Sequence, residues 1–135
     1  MNIEKTRGFQ IVSRFKDNEI QLPTRSTAHS AGYDIQAAED MLIPRDGTIK
    51  LVATGLKAYM QTGEVLYLFS RSSGPLKKGL VLPNSVGVID GDYYDNPKNE
   101  GEIFVQIRSI SGEDVLIKKG DRIAQAVFMP YLITD

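Results

Sequence analysis

The chain has 135 residues, with 16 Lys and Arg against 17 Asp and Glu and a formal charge of −1. That length suits a single domain over residues 1–135 with a core of its own, and the charge balance gives no reason to expect wholesale binding to a nucleic-acid backbone. With no cysteine and one histidine, His29, disulfides, thiol nucleophiles and multi-histidine zinc sites are excluded, and no apolar run approaches the ~18 residues of a membrane helix.

The first ten residues are mixed polar and charged, without a signal-peptide core, so a soluble cytoplasmic protein is the default. The first eight read as a loose arm. Phe9 to Phe15 then alternates in part, with Phe9, Ile11 and Phe15 on one parity. His29 falls in a polar stretch and is expected in an exposed loop. Ile49 to Thr54, Leu56 to Met60 and Val65 to Ser70 are β-branched or aromatic runs cut by turn residues. Residues 72–79 break the pattern and predict one very short helix, with a serine cap, Pro75 in the first turn and Gly79 as the stop. Ile103 to Ile110 alternates well, and Val115 to Ile117 and Ile123 to Met129 close the chain. Phe9, Phe15, Phe69 and Phe128 are expected in the core. Many short strands at ~8–12-residue spacing predict an all-β, antiparallel sandwich or barrel.

Four segments carry groups suited to chemistry. Ala31-Gly32-Tyr33-Asp34-Ile35 offers a carboxylate able to hold a metal or its water, although such an aspartate more often simply ends a loop or pairs with an arginine. Arg71-Ser72-Ser73-Gly74 follows a predicted strand and opens the short helix. Its guanidinium, hydroxyls and helix-start amides suit phosphate oxygens; a plain serine cap beside a surface arginine is the alternative. In Asn84-Ser85-Val86-Gly87-Val88-Ile89-Asp90-Gly91-Asp92-Tyr93, the apolar residues point toward the core, and Gly87 and Gly91 permit close approach of backbone. Asp90, placed after Val-Ile, reads as a partly desolvated carboxylate and a candidate general base, against the alternative of a turn aspartate. Gly120-Asp121-Arg122-Ile123-Ala124-Gln125 is a turn feeding a strand that carries Gln125.

In this order and spacing the segments resemble the first four motifs of the trimeric dUTPase family, with Gly101-Glu102-Ile103 as the far end of the third. The match runs over roughly residues 20 to 130. The resemblance implies a jelly-roll-like β-fold and a homotrimer with active sites assembled from more than one subunit. It implies hydrolysis of dUTP to dUMP and pyrophosphate, which limits uracil incorporation into DNA and supplies dUMP for dTMP synthesis. Asp90 would activate the water that attacks the α-phosphorus. Asn84 and the backbone at Gly87 and Ile89 would bind uracil, and Tyr93 would lie against the deoxyribose. Arg71, Ser72, Ser73, Gly74 and Gln125 would hold phosphates. Asp34 would reach Mg²⁺ through a water, the metal being held mainly by the phosphates.

Two features depart from the family pattern. Tyr94-Asp95-Asn96-Pro97-Lys98-Asn99-Glu100 lengthens the hairpin tip between Tyr93 and Gly101, expected outside the pocket and able to meet another subunit or a regulatory partner. The family's Gly-rich fifth motif has no counterpart before the chain stops at Asp135: either that tail lies outside this sequence or the protein works without it. The rivals are a dCTP deaminase relative, against which the Asp90-Gly91-Asp92-Tyr93 hairpin stands, and a dUTPase-like nucleotide-binding or regulatory protein of weak activity.

Overall fold

Alternating apolar and polar side chains make short strands, and Gly, Pro, Asp and Asn between them reverse the chain. In the computed structural model, which describes residues 5–135, the strands are β1 (Gly8–Ile11), β2 (Tyr33–Gln36), β3 (Met41–Ile43), β4 (Lys50–Ala53), β5 (Leu56–Tyr59), β6 (Glu64–Phe69), β7 (Leu80–Val81), β8 (Gly87–Ile89), β9 (Phe104–Ser109), β10 (Val115–Ile117) and β11 (Arg122–Pro130). Every strand pair is antiparallel. One sheet runs β2-β11-β6-β8 and a second β4-β9-β7, with the pairs β1-β5 and β10-β3 beside them. The all-β expectation is met.

Along β9 the odd-numbered residues Val105, Ile107 and Ser109 are buried and their neighbours half-buried, as the two-residue period requires. Ile35, Ile43, Val52, Leu66 and Ile103 are fully enclosed in the main core; burying each contributes roughly 1.5–3 kcal/mol. A smaller cluster joins Val12, Phe15, Ala38 and Ala53. The second cluster explains why the strand expected over Phe9–Phe15 stops at Ile11. Val12 N–H bonds to Gly55 O at 2.9 Å, and a 3₁₀ turn follows over Ser13–Phe15. Val12 and Phe15 have opposite parity, so only a turn brings both into one cluster.

Other expectations are refined. The short helix is a single turn, Gly74–Lys78, ended by Gly79 at φ 63°, but the Ser73 side chain does not cap it. Val86 and Val88 are exposed, not core residues. His29 is exposed, and Phe9, Phe69 and Phe128 are half-buried, with only Phe15 fully enclosed. Of the arm expected over residues 1–8, residues 1–4 lie outside the described residues. Arg7 is fastened to the Glu64 carboxylate, with Nη2 to Oε2 at 2.7 Å, and Gly8 already belongs to β1.

The Tyr94–Glu100 segment, expected as a hairpin tip, joins strands that do not pair, β8 lying on β6 and β9 on β4 and β7, and it folds back on its own chain. Lys57 Nζ donates to Asp95 Oδ1 and, at 2.8 Å, to Glu100 Oε2. Burial opposes the charge on Lys57, but the bonds to Asp95 and Glu100 outweigh it and raise its pKa. The bond from Lys57, followed by the one from Ser13 N–H, lowers that of Glu100. Tyr94 donates its hydroxyl to Gln10 Oε1 at 2.5 Å and meets Tyr59 edge-on.

Just beyond the tip lies Glu102, 1% exposed. Arg14 grips its carboxylate with a two-pronged contact, Nε to Oε1 and Nη2 to Oε2, the latter at 2.8 Å. Gly55 N–H adds a third donor at 3.3 Å. The Arg14 guanidinium also sits 4.3 Å from the Phe15 ring centroid. Removing one partner of a buried pair leaves an uncompensated charge. Arg14→Ala is therefore expected to cost about 3 kcal/mol in denaturant unfolding, the low end for such pairs because Arg14 is half exposed. A cost under about 0.5 kcal/mol, ordinary for a surface substitution, would contradict that account.

Candidate active site

The sheet order β2-β11-β6 sets one half of the site. Gln125 on β11 stands opposite Asp34 on β2 and Phe69 on β6, so the first, second and fourth motifs meet at one end of the sheet. Gln125 Nε2 donates to Ser70 O at 3.2 Å, which ties β11 to the turn carrying Arg71. Arg71 Nε lies 3.3 Å from Asp34 Oδ1, and Arg122 Nη1 lies 3.6 Å from Asp34 Oδ2. Arg71 Nη1 donates to Ser73 Oγ at 3.4 Å.

Arg71, Ser73, Gly74, Lys78 and Arg122 line a cavity of about 270 Å³ that reaches inward to Leu80 and Leu82. Arg71, Lys78 and Arg122 outnumber the two carboxylates beside them, Asp121 in the lining and Asp34 against the two guanidiniums, and this excess of positive charge favours an anion. Ser72 is exposed beside it. Gly74 N–H closes the turn onto Arg71 O at 3.1 Å and is not a spare donor. The Ser72 and Ser73 N–H groups have no acceptor among the described residues. Arg122 was not singled out from sequence; its place in the fourth motif, three residues before Gln125 on a strand, was the signal. A register shift between Arg122 and Ala124 aims the start of β11 differently from a regular strand.

The other half is built on β8 and the turns around it. β8 pairs with β6 through Leu66↔Ile89, Tyr67↔Val88 and Leu68↔Gly87, and it is the outer strand of its sheet. Its far side therefore carries backbone N–H and C=O groups that no strand takes up. Gly87 is buried against Leu68, where an added Cβ would lie 3.0 Å from the Leu68 Cβ. At Gly91 the nearest atom to an added Cβ is Met60 Cγ at 3.7 Å, so space does not demand glycine there. Ser85 adopts φ 65° between Leu82 O, which accepts its N–H at 3.0 Å, and a tight turn from Val86 N–H to Asn84 O at 2.7 Å. A non-glycine residue in that region stores strain, often at a site of function.

Asn84, Gly87, Ile89, Asp90 and Tyr93 all line one cavity of about 280 Å³, near the ~300 Å³ lower end for small-ligand sites. Asp90 is exposed rather than desolvated. It precedes the 3₁₀ turn Gly91–Tyr93 without capping it, and its carboxylate takes part in no hydrogen bond or ion pair among the described residues. Tyr93 is half-buried, and its hydroxyl donates to Glu102 O at 2.6 Å.

The structure thus brings the predicted residues together in two groups, not one. The cavity of Arg71 and the cavity of Asp90 share only Leu82 in their linings. As for the expected magnesium, no group of three or more His, Asp or Glu able to hold a metal exists among the described residues. Asp34 supplies a single carboxylate, already between two guanidiniums. This donor set fits a Mg²⁺ held mostly by ligand phosphates and water, the usual habit of that ion, and does not fit a protein-built metal cage.

Comparison with known proteins places the fold and the sequence in one family. The dUTPase family model matches residues 18–134. A deoxyuridine 5'-triphosphate nucleotidohydrolase of Lactococcus lactis is 60% identical over 131 residues, covering 97% of this chain and 87% of that protein. The crystal structure of the dUTPase from Streptococcus mutans superimposes with a TM-score of 0.90 at 57% identity, covering 95% of this chain and 98% of that one. A dUTPase from phage phi11 of S. aureus shares the fold at a TM-score of 0.78 and 24% identity, over 97% of this chain and 94% of that one. On the family match over nearly the whole chain, and on relatives this similar, the chain belongs to the dUTPase family.

Proposed function

We propose that this protein hydrolyses dUTP to dUMP and pyrophosphate, in sites shared between copies of the chain in a homotrimer. The observation that carries the reading is the cavity where an unpartnered Asp90 carboxylate stands at the end of an edge strand, beside Asn84 and Tyr93. A nucleoside seated there meets backbone amides and carbonyls of β8 at Gly87 and Ile89, together with the Asn84 amide. Uracil and cytosine differ in their donor and acceptor pattern, so fixed backbone groups leave cytosine unpaired, and such a mismatch costs orders of magnitude in rate. The extra methyl of thymine meets a packed backbone. The Tyr93 ring lies against the deoxyribose and leaves no room for a 2′-hydroxyl.

The triphosphate extends toward the cationic cavity of a neighbouring copy. There Arg71, Ser72 and Ser73, with Gly74 shaping the turn and Gln125 beside it, bind the phosphate oxygens. Asp34 orients Arg71 and Arg122 and is the carboxylate that would help hold a magnesium ion carried in with the phosphates. Mg²⁺ supplies charge neutralisation on the phosphates when bound. Asp90 accepts a proton from water, the water oxygen bonds to the α-phosphorus, and the bond from that phosphorus to the bridging oxygen of pyrophosphate breaks. The two-cavity arrangement of the chain is the reason to invoke a second copy: the nucleoside half and the phosphate half line separate cavities.

Pyrophosphate release from dUTP, dTTP, dCTP and UTP tests the reading. Release from dUTP with Mg²⁺, abolished by EDTA and at least a hundredfold slower for the other three, is expected; a selectivity of that order follows from unpaired polar groups at the base. Equal turnover of all four nucleotides would contradict it. Tight binding of a non-hydrolysable dUTP analogue without turnover would favour the nucleotide-binding alternative. Asp90→Asn is expected to bind the analogue as the parent does while kcat falls about 10²–10⁴-fold, the usual contribution of a general base. Parent-like kcat in that variant removes Asp90 from the role.

A further inference from the structure

We propose that the Tyr94–Glu100 segment is a clamp for Tyr93, in which Asn99 is a positioning residue that sets selection of a 2′-deoxyribose over a ribose. The proposal rests on the sugar-facing role of Tyr93 given above. Both ends of that tyrosine are held by residues of the segment or its exit. Asn99 Nδ2 donates to the Tyr93 phenol oxygen at 2.9 Å, while the phenol proton goes to Glu102 O at 2.6 Å. At the backbone end, Tyr93 O accepts Asn96 Nδ2 at 2.7 Å and Asn96 N–H at 3.3 Å.

The orientation of Asn99 is itself determined. Its Oδ1 accepts Asn96 Nδ2 at 2.8 Å and Gly101 N–H at 3.0 Å, so its NH₂ end faces the phenol. The segment reaches this shape through left-handed backbone at Asp95 (φ 57°) and Glu100 (φ 64°), the same two residues that Lys57 holds from the body of the fold. Glu100 also accepts Ser13 N–H at 3.1 Å. At Gly101 (φ 86°) an added Cβ would lie 2.6 Å from Tyr93 O, so the exit of the segment closes directly on the tyrosine. A ring braced in this way cannot retreat to admit one more oxygen, and rejection by a fixed wall depends on the wall staying fixed. Without the Asn99 bond the ring gains that freedom, and UTP becomes a better substrate.

The experiment compares kcat/KM for dUTP and UTP, with Mg²⁺, in the parent, in Asn99→Ala and Asn99→Ser, and in both variants combined with Tyr93→Phe. Serine is too short to reach the phenol but keeps an acceptor for the Gly101 N–H, so it separates the bond to Tyr93 from the turn itself. The dUTP-to-UTP ratio is expected to fall about fivefold to tenfold in each single Asn99 variant, mainly through improved use of UTP, as the loss of one hydrogen bond allows. In the Tyr93→Phe background, where the phenol oxygen is gone, neither Asn99 change is expected to lower the ratio further. A folded Asn99→Ser protein with the parent ratio overturns the proposal. So does an equal fall with and without the Tyr93 hydroxyl, since Asn99 then acts elsewhere. A parent that does not turn over dUTP overturns the proposed function and this clamp with it; a selective parent with equally selective Asn99 variants overturns the clamp alone.

Discussion

A single buried carboxylate, Glu102, joins the core to the pocket. Its side chain is enclosed between Arg14 and the Gly55 amide, and its backbone carbonyl receives the Tyr93 hydroxyl. Next to it Ile103 N–H bonds to Leu56 O at 2.8 Å, and Thr54 Oγ1 donates to Ile103 O at 2.7 Å. The chain leaving the Tyr94–Glu100 segment is thereby stitched to the β4–β5 connection just ahead of β9. A buried ion pair is weak evidence of net stability, but it is demanding about geometry. Arg14 and the Gly55 amide hold the Glu102 side chain, and the backbone carbonyl of the same residue receives Tyr93, so the ion pair and the tyrosine share one anchor.

The longer alternating runs were legible because burial follows their period: β6, β9 and β11 fall close to where the pattern puts them, and β10 was found as an apolar triplet rather than by period. β3 and β7 were not recognised; Met41–Ile43 and Leu80–Val81 are too short to show a period. β2 and β8 were read as motif segments and not as strands, since glycine and aspartate interrupt them. Val88 misled for a related reason. On this edge strand the residue next to the buried Gly87 faces outward, and sequence cannot tell which parity meets the core.

For the site, most phosphate-side residues, Arg122 excepted, and the residues of the Asp90 cavity were named in sequence, and each group lies together in the fold. Their separation into two cavities was hidden, because linear motifs carry no statement of which surface faces which copy. The Asp90 environment was misjudged: its apolar neighbours suggested burial, whereas the strand ends there and leaves the carboxylate exposed in a single chain. Lys57, Asn99 and Glu102 were missed as structural determinants. Each is an ordinary polar residue whose weight comes from long-range partners, Lys57 with Asp95 and Glu100 above all.

In the proposed reading a working site takes its nucleoside half from one chain and its phosphate half from another. Subunit complementation tests it directly. Asp90→Asn and Arg71→Ala proteins, each inactive alone, are unfolded together, reassembled in equal amounts and assayed with dUTP and Mg²⁺. With random reassembly about a quarter of all sites pair an intact Asp90 with an intact Arg71, so activity near that fraction of the parent's is predicted. A mixture as inactive as its components, with mixed assembly confirmed by mass, would mean that both halves come from one chain and would contradict the account.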